Sequence, residues 1–212
     1  NENSSLNNIQ NKVLENEIRD FTLSGCHLEK KQKKRLEEIS LRLSELSHKF
    51  SQNLLNATNK FEMIIDDFED VKEIPNSDLQ LAKFEEAGVT KYKFTLQMPS
   101  YLAYITYGTS REKREEIYKA YCTRAPANGK IIEEILALKN EKVKILGFEN
   151  YAQYSLATKM ASKEEDVIKF LEELGHKAKN KAKEELEDIK AMASKDGITD
   201  FRSSDMSYYS EK

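Results

Sequence analysis

Apolar residues recur at every third or fourth position along most of this chain, and that spacing decides its fold class. The longest stripe holds Val167, Leu171, Leu174, Ala178, Ala182, Leu186, Ile189 and Ala193. A second runs from Lys31 to about Asn59 through Leu36, Ile39, Leu43, Leu46, Phe50, Leu54 and Ala57. A third holds Ile131, Ile132, Ile135, Leu136, Leu138, Val143 and Leu146. Side chains three and four apart share one face of an α-helix, so each stripe predicts an amphipathic helix that hides one side. Only 7 Gly and 3 Pro interrupt the 212 residues. The predicted class is mainly α, multi-helical, with a small two-stranded β element. The second stripe approximates a heptad, so a dimeric coiled coil competes with packing inside the chain. It covers barely three heptads before the pattern changes.

The β element is expected near residues 61–98. Phe61-Glu62-Met63-Ile64-Ile65-Asp66 reads as extended. Tyr92-Lys93-Phe94-Thr95-Leu96-Gln97-Met98 alternates apolar and polar residues and is rich in aromatic and β-branched side chains, as strands are. Between them, Pro75-Asn76-Ser77-Asp78 opens a short helix expected to end near Gly88. A two-stranded ribbon is marginal alone in water, so it is expected to pack on helices. Beyond Pro99, which suits a first helical turn, the chain reads helical to its end. Thr109 and Glu112 have capping-box spacing ahead of a helix carrying Ile117, Tyr118 and Tyr121. Gly147 follows the last apolar position of the third stripe, where a helix end favours a residue that tolerates positive φ. Residues 1–10, rich in Asn and Ser, are expected to begin as a frayed end.

Composition excludes several classes. The net charge is −3, which gives no global attraction to nucleic acid. No run approaches the roughly 18 apolar residues of a membrane span, and no charged-then-apolar leader precedes the first helix, so neither a membrane nor export is expected. Cys26 and Cys122 are expected to be reduced thiols of a cytoplasmic protein. The chain starts at Asn1 rather than Met and stops at Tyr208-Tyr209-Ser210-Glu211-Lys212 without a helix-stop signal, which together predict a longer parent protein.

Candidate chemistry is sparse. A self-contained zinc hydrolase would carry His-Glu-x-x-His, two imidazoles one helical turn apart with a glutamate between. The histidines are His27, His48 and His176, followed four residues later by Lys31, Gln52 and Asn180. Adjacent Cys26 and His27 do not converge easily on one ion and read better as a turn entering a helix. Asp66, Asp67, Glu69 and Asp70 lack the Gly and spacing of a calcium loop and read as a solvated turn. Lys177, Lys179, Lys181 and Lys183 are followed directly by Glu184, Glu185, Glu187 and Asp188, the pattern of a solvated, self-paired helix face. Tyr101, Tyr104 and Tyr107 form a tyrosine stripe that reads as half-buried core rather than a ligand platform. No catalytic, cofactor-binding or metal residue is assigned, and substrate-channel residues are left unknown.

A set of ordered segments carries a resemblance. Ile18 to Gly25, the helix from Leu43-Ser44-Glu45-Leu46 to Ala57-Thr58-Asn59, Met98-Pro99-Ser100-Tyr101, Arg114 to Tyr121, Glu133 to Leu138, Leu146 to Ala161 and Asp205-Met206-Ser207-Tyr208-Tyr209 resemble zinc oligopeptidases of the thimet oligopeptidase and oligopeptidase A family. The match is closest over Leu146–Ala161, in the oligopeptidase A style, and the link Arg124 to Ile131 is shorter than in the family. The resemblance implies a bacterial zinc metalloendopeptidase that cleaves short peptides inside a deep channel between two largely helical halves. There zinc would activate water, the motif Glu would act as base, and His and Tyr groups would stabilise the oxyanion. All of these would lie C-terminal to Lys212, so none transfers to this chain. Residues 1–212 would be a helical portion of the non-catalytic half, scaffold and channel wall, inactive alone and binding no zinc of its own. Its partner would be the missing catalytic half. The alternative is a non-catalytic helical protein-interaction module.

Overall fold

The computed structural model describes residues 6–212. In chain order its elements are α1 (Asn8–Leu23), α2 (Lys30–Lys60), β1 (Glu62–Ile65), α3 (Asn76–Ala82), β2 (Lys83–Glu86), β3 (Val89–Thr95), α4 (Met98–Tyr107), α5 (Arg111–Cys122), α6 (Asn128–Ile145), α7 (Tyr151–Leu156), α8 (Glu164–Lys195) and α9 (Met206–Glu211), with single 3-10 turns at Phe68–Asp70 and Ser203–Asp205. The protein is mainly α, as its periodicity predicts. The frayed end expected over residues 1–10 falls partly outside the described residues. Within them α1 already begins at Asn8, because Asn7 and Gln10 close a reciprocal capping box at 2.9 Å each way.

The chain divides into two compact units, residues 1–50 with 129–173 and residues 51–128 with 174–212. In the first unit, Leu28, Leu36 and Leu146 form a small core, flanked by Ile145, Phe148 and Tyr154. Leu36, Ile39 and Leu46 of α2 are buried within the chain itself, so the heptad-like stripe is used for intramolecular packing. On the surface, Arg35 forks onto Glu141 at 2.6 and 2.8 Å, and Arg42 onto Glu134 at 2.6 and 3.0 Å. These pairs link α2 to α6 and hold both glutamates below the usual carboxylate range. α6 ends as expected. Gly147 takes φ +85°, its N–H reaches Lys144 O at 3.1 Å, and Phe148 N–H reaches Val143 O at 2.9 Å, the paired bonds of a Schellman motif.

The second unit holds the sheet. β1 and β3 pair antiparallel as expected, with Met63 opposite Phe94 and Ile65 opposite Tyr92, and all four side chains are buried. The sheet has a third strand that the sequence reading does not contain. α3 stops at Ala82, and Lys83–Glu86 pairs with β3 to give the order β1-β3-β2. Gly88, expected to stop a helix, instead follows Ala87 in a two-residue hairpin turn. Both carry positive φ, 52° and 78°, as a type I′ turn requires. β3 therefore starts earlier than expected and releases Met98 to α4, whose first turn holds Pro99. α4 and α5 cover the buried face through Tyr101, Tyr104, Ile105 and Ile117. The cap of α5 is Ser110, not Thr109: Ser110 Oγ accepts from Lys113 N–H at 3.5 Å, while Thr109 Oγ1 donates to Glu69 O at 2.7 Å.

Candidate functional site

The residues singled out for chemistry do not converge. His27, His48 and His176 are all exposed. Cys26 and Cys122 are exposed free thiols, and Ser24 Oγ lies 3.2 Å from Cys26 Sγ in the turn ahead of α2. In the acidic turn, Asp67 caps the 3-10 segment through Glu69 N–H at 2.9 Å, and Glu69 pairs with Lys72 at 2.6 Å. Asp70 is pushed up by burial and by neighbouring Asp67. Lys181 sits 3.7 and 3.9 Å from Glu184 and Glu185, as a solvated face would. Among the described residues no group of three or more His, Cys, Asp or Glu is placed to hold a metal.

The tyrosine stripe belongs to the core. Tyr101 stacks on Tyr121 with centroids 4.1 Å apart, and burial pushes its phenol up to about 12. Tyr104 packs on Phe94 at 4.8 Å. Tyr107 reaches the surface and donates to Glu211 at 3.0 Å. A cavity of about 270 Å³ among α3, β3 and α4 has a mixed lining, with Ala82, Phe94 and Pro99 beside Asp78, Lys93 and Gln97.

The densest polar arrangement lies where α5 meets the end of the chain. Asp205 is fully buried. Arg111 forks onto its two carboxylate oxygens at 2.9 and 3.0 Å, and Arg202 N–H donates to it at 3.0 Å. Arg114, 2% exposed, points one guanidinium nitrogen at Asp205 from 3.5 Å. Its other terminal nitrogen donates to the carbonyls of Gly108 and Thr109 at 2.8 and 3.0 Å, and the ring of Tyr208 lies 3.9 Å from its central carbon. Arg111 also binds Asp200 at 2.8 Å, and Arg202 pairs with both Asp200 and Glu115. Burial alone would raise the Asp205 pKa, but hydrogen bonds from Arg111 and from the Arg202 backbone, with the Arg114 charge, bring it below the ordinary range. The arrangement binds and orients one segment of chain on another; it contains no nucleophile–base pair. Sequence spacing misses it because Arg114 and Asp205 are 91 positions apart.

Two faces stay bare. α1 has no buried residue, and Ile9, Val13, Ile18 and Phe21 are each more than half exposed. In α8 the stripe is buried only at Ala193, while Ile168, Phe170, Leu171 and Leu174 are each more than half exposed. No helix among the described residues is long and apolar enough to cross a membrane.

Comparison with known proteins gives this architecture a family. The model of peptidase family M3 matches residues 104–212, which include the last turn of α4, all of α5 and the Asp205 cluster. Oligopeptidase A of Haemophilus influenzae is 42% identical over 215 residues, covering 96% of this chain and 32% of that protein. Oligopeptidase A of Escherichia coli is 41% identical over 221 residues, covering 99% of this chain and 32% of its own length. Saccharolysin of Saccharomyces cerevisiae is 27% identical over 202 residues, 93% of this chain and 28% of the yeast protein. The chain spans about a third of the length of the curated relatives it matches. It belongs to peptidase family M3, with a sequence of the oligopeptidase A type.

Proposed function

We propose that residues 1–212 are a helical, non-catalytic part of a zinc-dependent oligopeptidase that hydrolyses short peptides, supplying scaffold and part of the wall of a substrate channel. The observation that carries this reading is the 41–42% identity to two oligopeptidases A over nearly the whole chain, together with coverage of only about a third of those proteins. The zinc, its activated water and the catalytic base would come from the remainder of a longer polypeptide, since the described residues offer no donor set. Alone, the chain would bind no stoichiometric zinc and cleave no peptide. The bare faces of α1 and α8 suit contact with that remainder. Exposed thiols at Cys26 and Cys122 fit the reducing cytoplasm.

The same bare faces favour the second reading, a helical interaction module. The two readings separate on one experiment. The chain is extended with the remaining two thirds of an M3 peptidase, and hydrolysis is measured on a short unstructured peptide and on a folded protein carrying the same cleavage sequence. Zinc-dependent cleavage of the peptide alone supports the peptidase reading. No activity with zinc present, or equal cleavage of both substrates, overturns it. Metal analysis of the 212-residue chain after dialysis checks the other half, where one tightly held zinc per chain would contradict the assignment.

A further inference from the structure

We propose that residues 198–212 form a strap that opens and closes as one unit, separately from the sheet core, and that the Asp205 carboxylate is the key that closes it. The proposal does not rest on the peptidase reading.

Three observations carry it. First, the apolar anchorage of the strap is separate from the sheet core. Tyr208 and Tyr209, with Ile198 and Phe201, pack with Ala193, Ile189 and Met192 of α8 in a cluster distinct from the sheet core that contains Met63, Phe94 and Ile117. Second, the other attachments are polar and directional. Arg111 and Glu115 of α5 hold Asp205, Asp200 and Arg202; Tyr107 of α4 holds Glu211 at 3.0 Å; Glu73 accepts from Tyr208 at 3.3 Å; and Asp196 binds Lys212 at 2.9 Å. Such contacts are lost together when a segment lifts, and water replaces each of them.

Third, one pair makes the closure all-or-none. Arg114 is almost wholly buried, and Asp205 on the strap supplies the carboxylate that faces it. The charged groups around Asp205 are Arg111 and Arg114 from α5 and, within the strap, Arg202 and Asp200. With the strap seated, both buried charges are compensated. With the strap lifted, both are hydrated, because the Tyr208 ring that shields Arg114 leaves with it. Intermediate positions would leave a guanidinium dry and without its carboxylate, which is the expensive state. A segment whose apolar packing lies on the end of α8, apart from the sheet core, and whose links to α4 and α5 include these directional polar contacts has the makeup of a separately opening unit.

The test is amide hydrogen exchange on the whole chain, in wild type and in Asp205→Asn. In wild type, protected amides between Asp205 and Glu211 should open with a smaller free energy and a shallower urea dependence than those of β1 and β3. In Asp205→Asn the strap-closed state is weakened relative to every state that breaks it, so strap amides should quicken on the order of a hundredfold or more, the globally exchanging sheet amides should quicken with them, and the two sets should keep distinct opening free energies and urea slopes. No acceleration of the strap amides, or a single opening free energy and urea slope shared by strap and sheet, overturns the proposal. Should Asp205→Asn not fold at all, the wild-type measurement decides: one shared opening free energy and urea slope for both sets refutes a separable strap, and two distinct ones sustain it.

Discussion

Gly25 and Gly147 allow a backbone effect to be separated from a packing effect within one unit of the protein. Both follow the last turn of a helix, and both take positive φ, +80° and +85°. An alanine at either position meets the same left-handed penalty, about 1–2 kcal/mol. Their surroundings differ. A Cβ on Gly147 would meet nothing within 4 Å, whereas a Cβ on Gly25 would lie 2.7 Å from Leu36 Cδ2 and 2.8 Å from Leu28 Cδ1. Those two leucines are part of the small core with Leu146. Side chains forced apart in a packed core cost about 1–3 kcal/mol beyond the backbone effect. Gly147→Ala should therefore lower stability by about 1–2 kcal/mol, and Gly25→Ala by about 2–5 kcal/mol. The assay is urea unfolding followed by far-ultraviolet circular dichroism, with the two variants compared directly. If Gly25→Ala costs no more than Gly147→Ala, Leu28 and Leu36 move aside freely, and the close approach seen here is not a constraint.

Further outcomes are expected elsewhere. Phe94→Ala, which empties the centre of the sheet core at a side chain 1% exposed, should cost about 3–5 kcal/mol, read by the same urea assay. Asn150 caps α7 by accepting from Gln153 N–H at 2.9 Å and also donates to Glu164 at 3.0 Å, so Asn150→Ala should cost about 1 kcal/mol. The Asp205 pKa is lowered on folding, so its contribution is fully present above the unfolded carboxylate pKa and is lost as pH falls through the folded value. Near-ultraviolet circular dichroism of Tyr208 and Tyr209 should accordingly change on acidification below the ordinary carboxylate range, and Asp205→Asn should remove that transition.

The helices were legible because their information is local. Leu36, Ile39 and Leu46 announce a buried face by spacing alone, and Gly147 announces where α6 stops. β3 was legible because Tyr92 and Phe94 alternate with polar residues, and β1 because the pattern breaks after α2 into the short extended run Phe61-Glu62-Met63-Ile64-Ile65-Asp66. β2 was not, for a physical reason: Lys83-Phe84-Glu85-Glu86 has no apolar face of its own, and its residues suit a helix as well as a strand. Its pairing partner β3 decides its state, together with the turn at Ala87-Gly88. Arg114 was illegible for a related reason. It stands in Arg111-Glu112-Lys113-Arg114-Glu115-Glu116, which reads as a solvated helix face, and only the arrival of Asp205 and Tyr208 makes it interior.

That an arginine rather than an apolar side chain fills this place follows from what lies beneath it. α4 ends at Tyr107, and a helix end leaves carbonyls without internal partners. Arg114 serves the carbonyls of Gly108 and Thr109 just beyond that end, faces Asp205 with its other nitrogen, and stacks its plane on Tyr208. A methionine of similar length would fill the volume and leave both carbonyls unserved. Asp205 would still be held by Arg111 and the Arg202 backbone, so the acid itself would not be stranded. Arg114→Met should therefore cost about 2–4 kcal/mol, arising from the unserved acceptors, and less than removal of Asp205, which strands a buried cation at about 3–5 kcal/mol. Lysine restores the charge but cannot serve the carbonyls, the carboxylate and the ring plane at once, so Arg114→Lys should recover only part of the loss. The order Asp205→Ala, Arg114→Met, Arg114→Lys, from most to least damaging in urea unfolding, is the expected result. Equal stability of Arg114→Met and wild type would mean that Arg114 neither completes the end of α4 nor locks the final segment to α5.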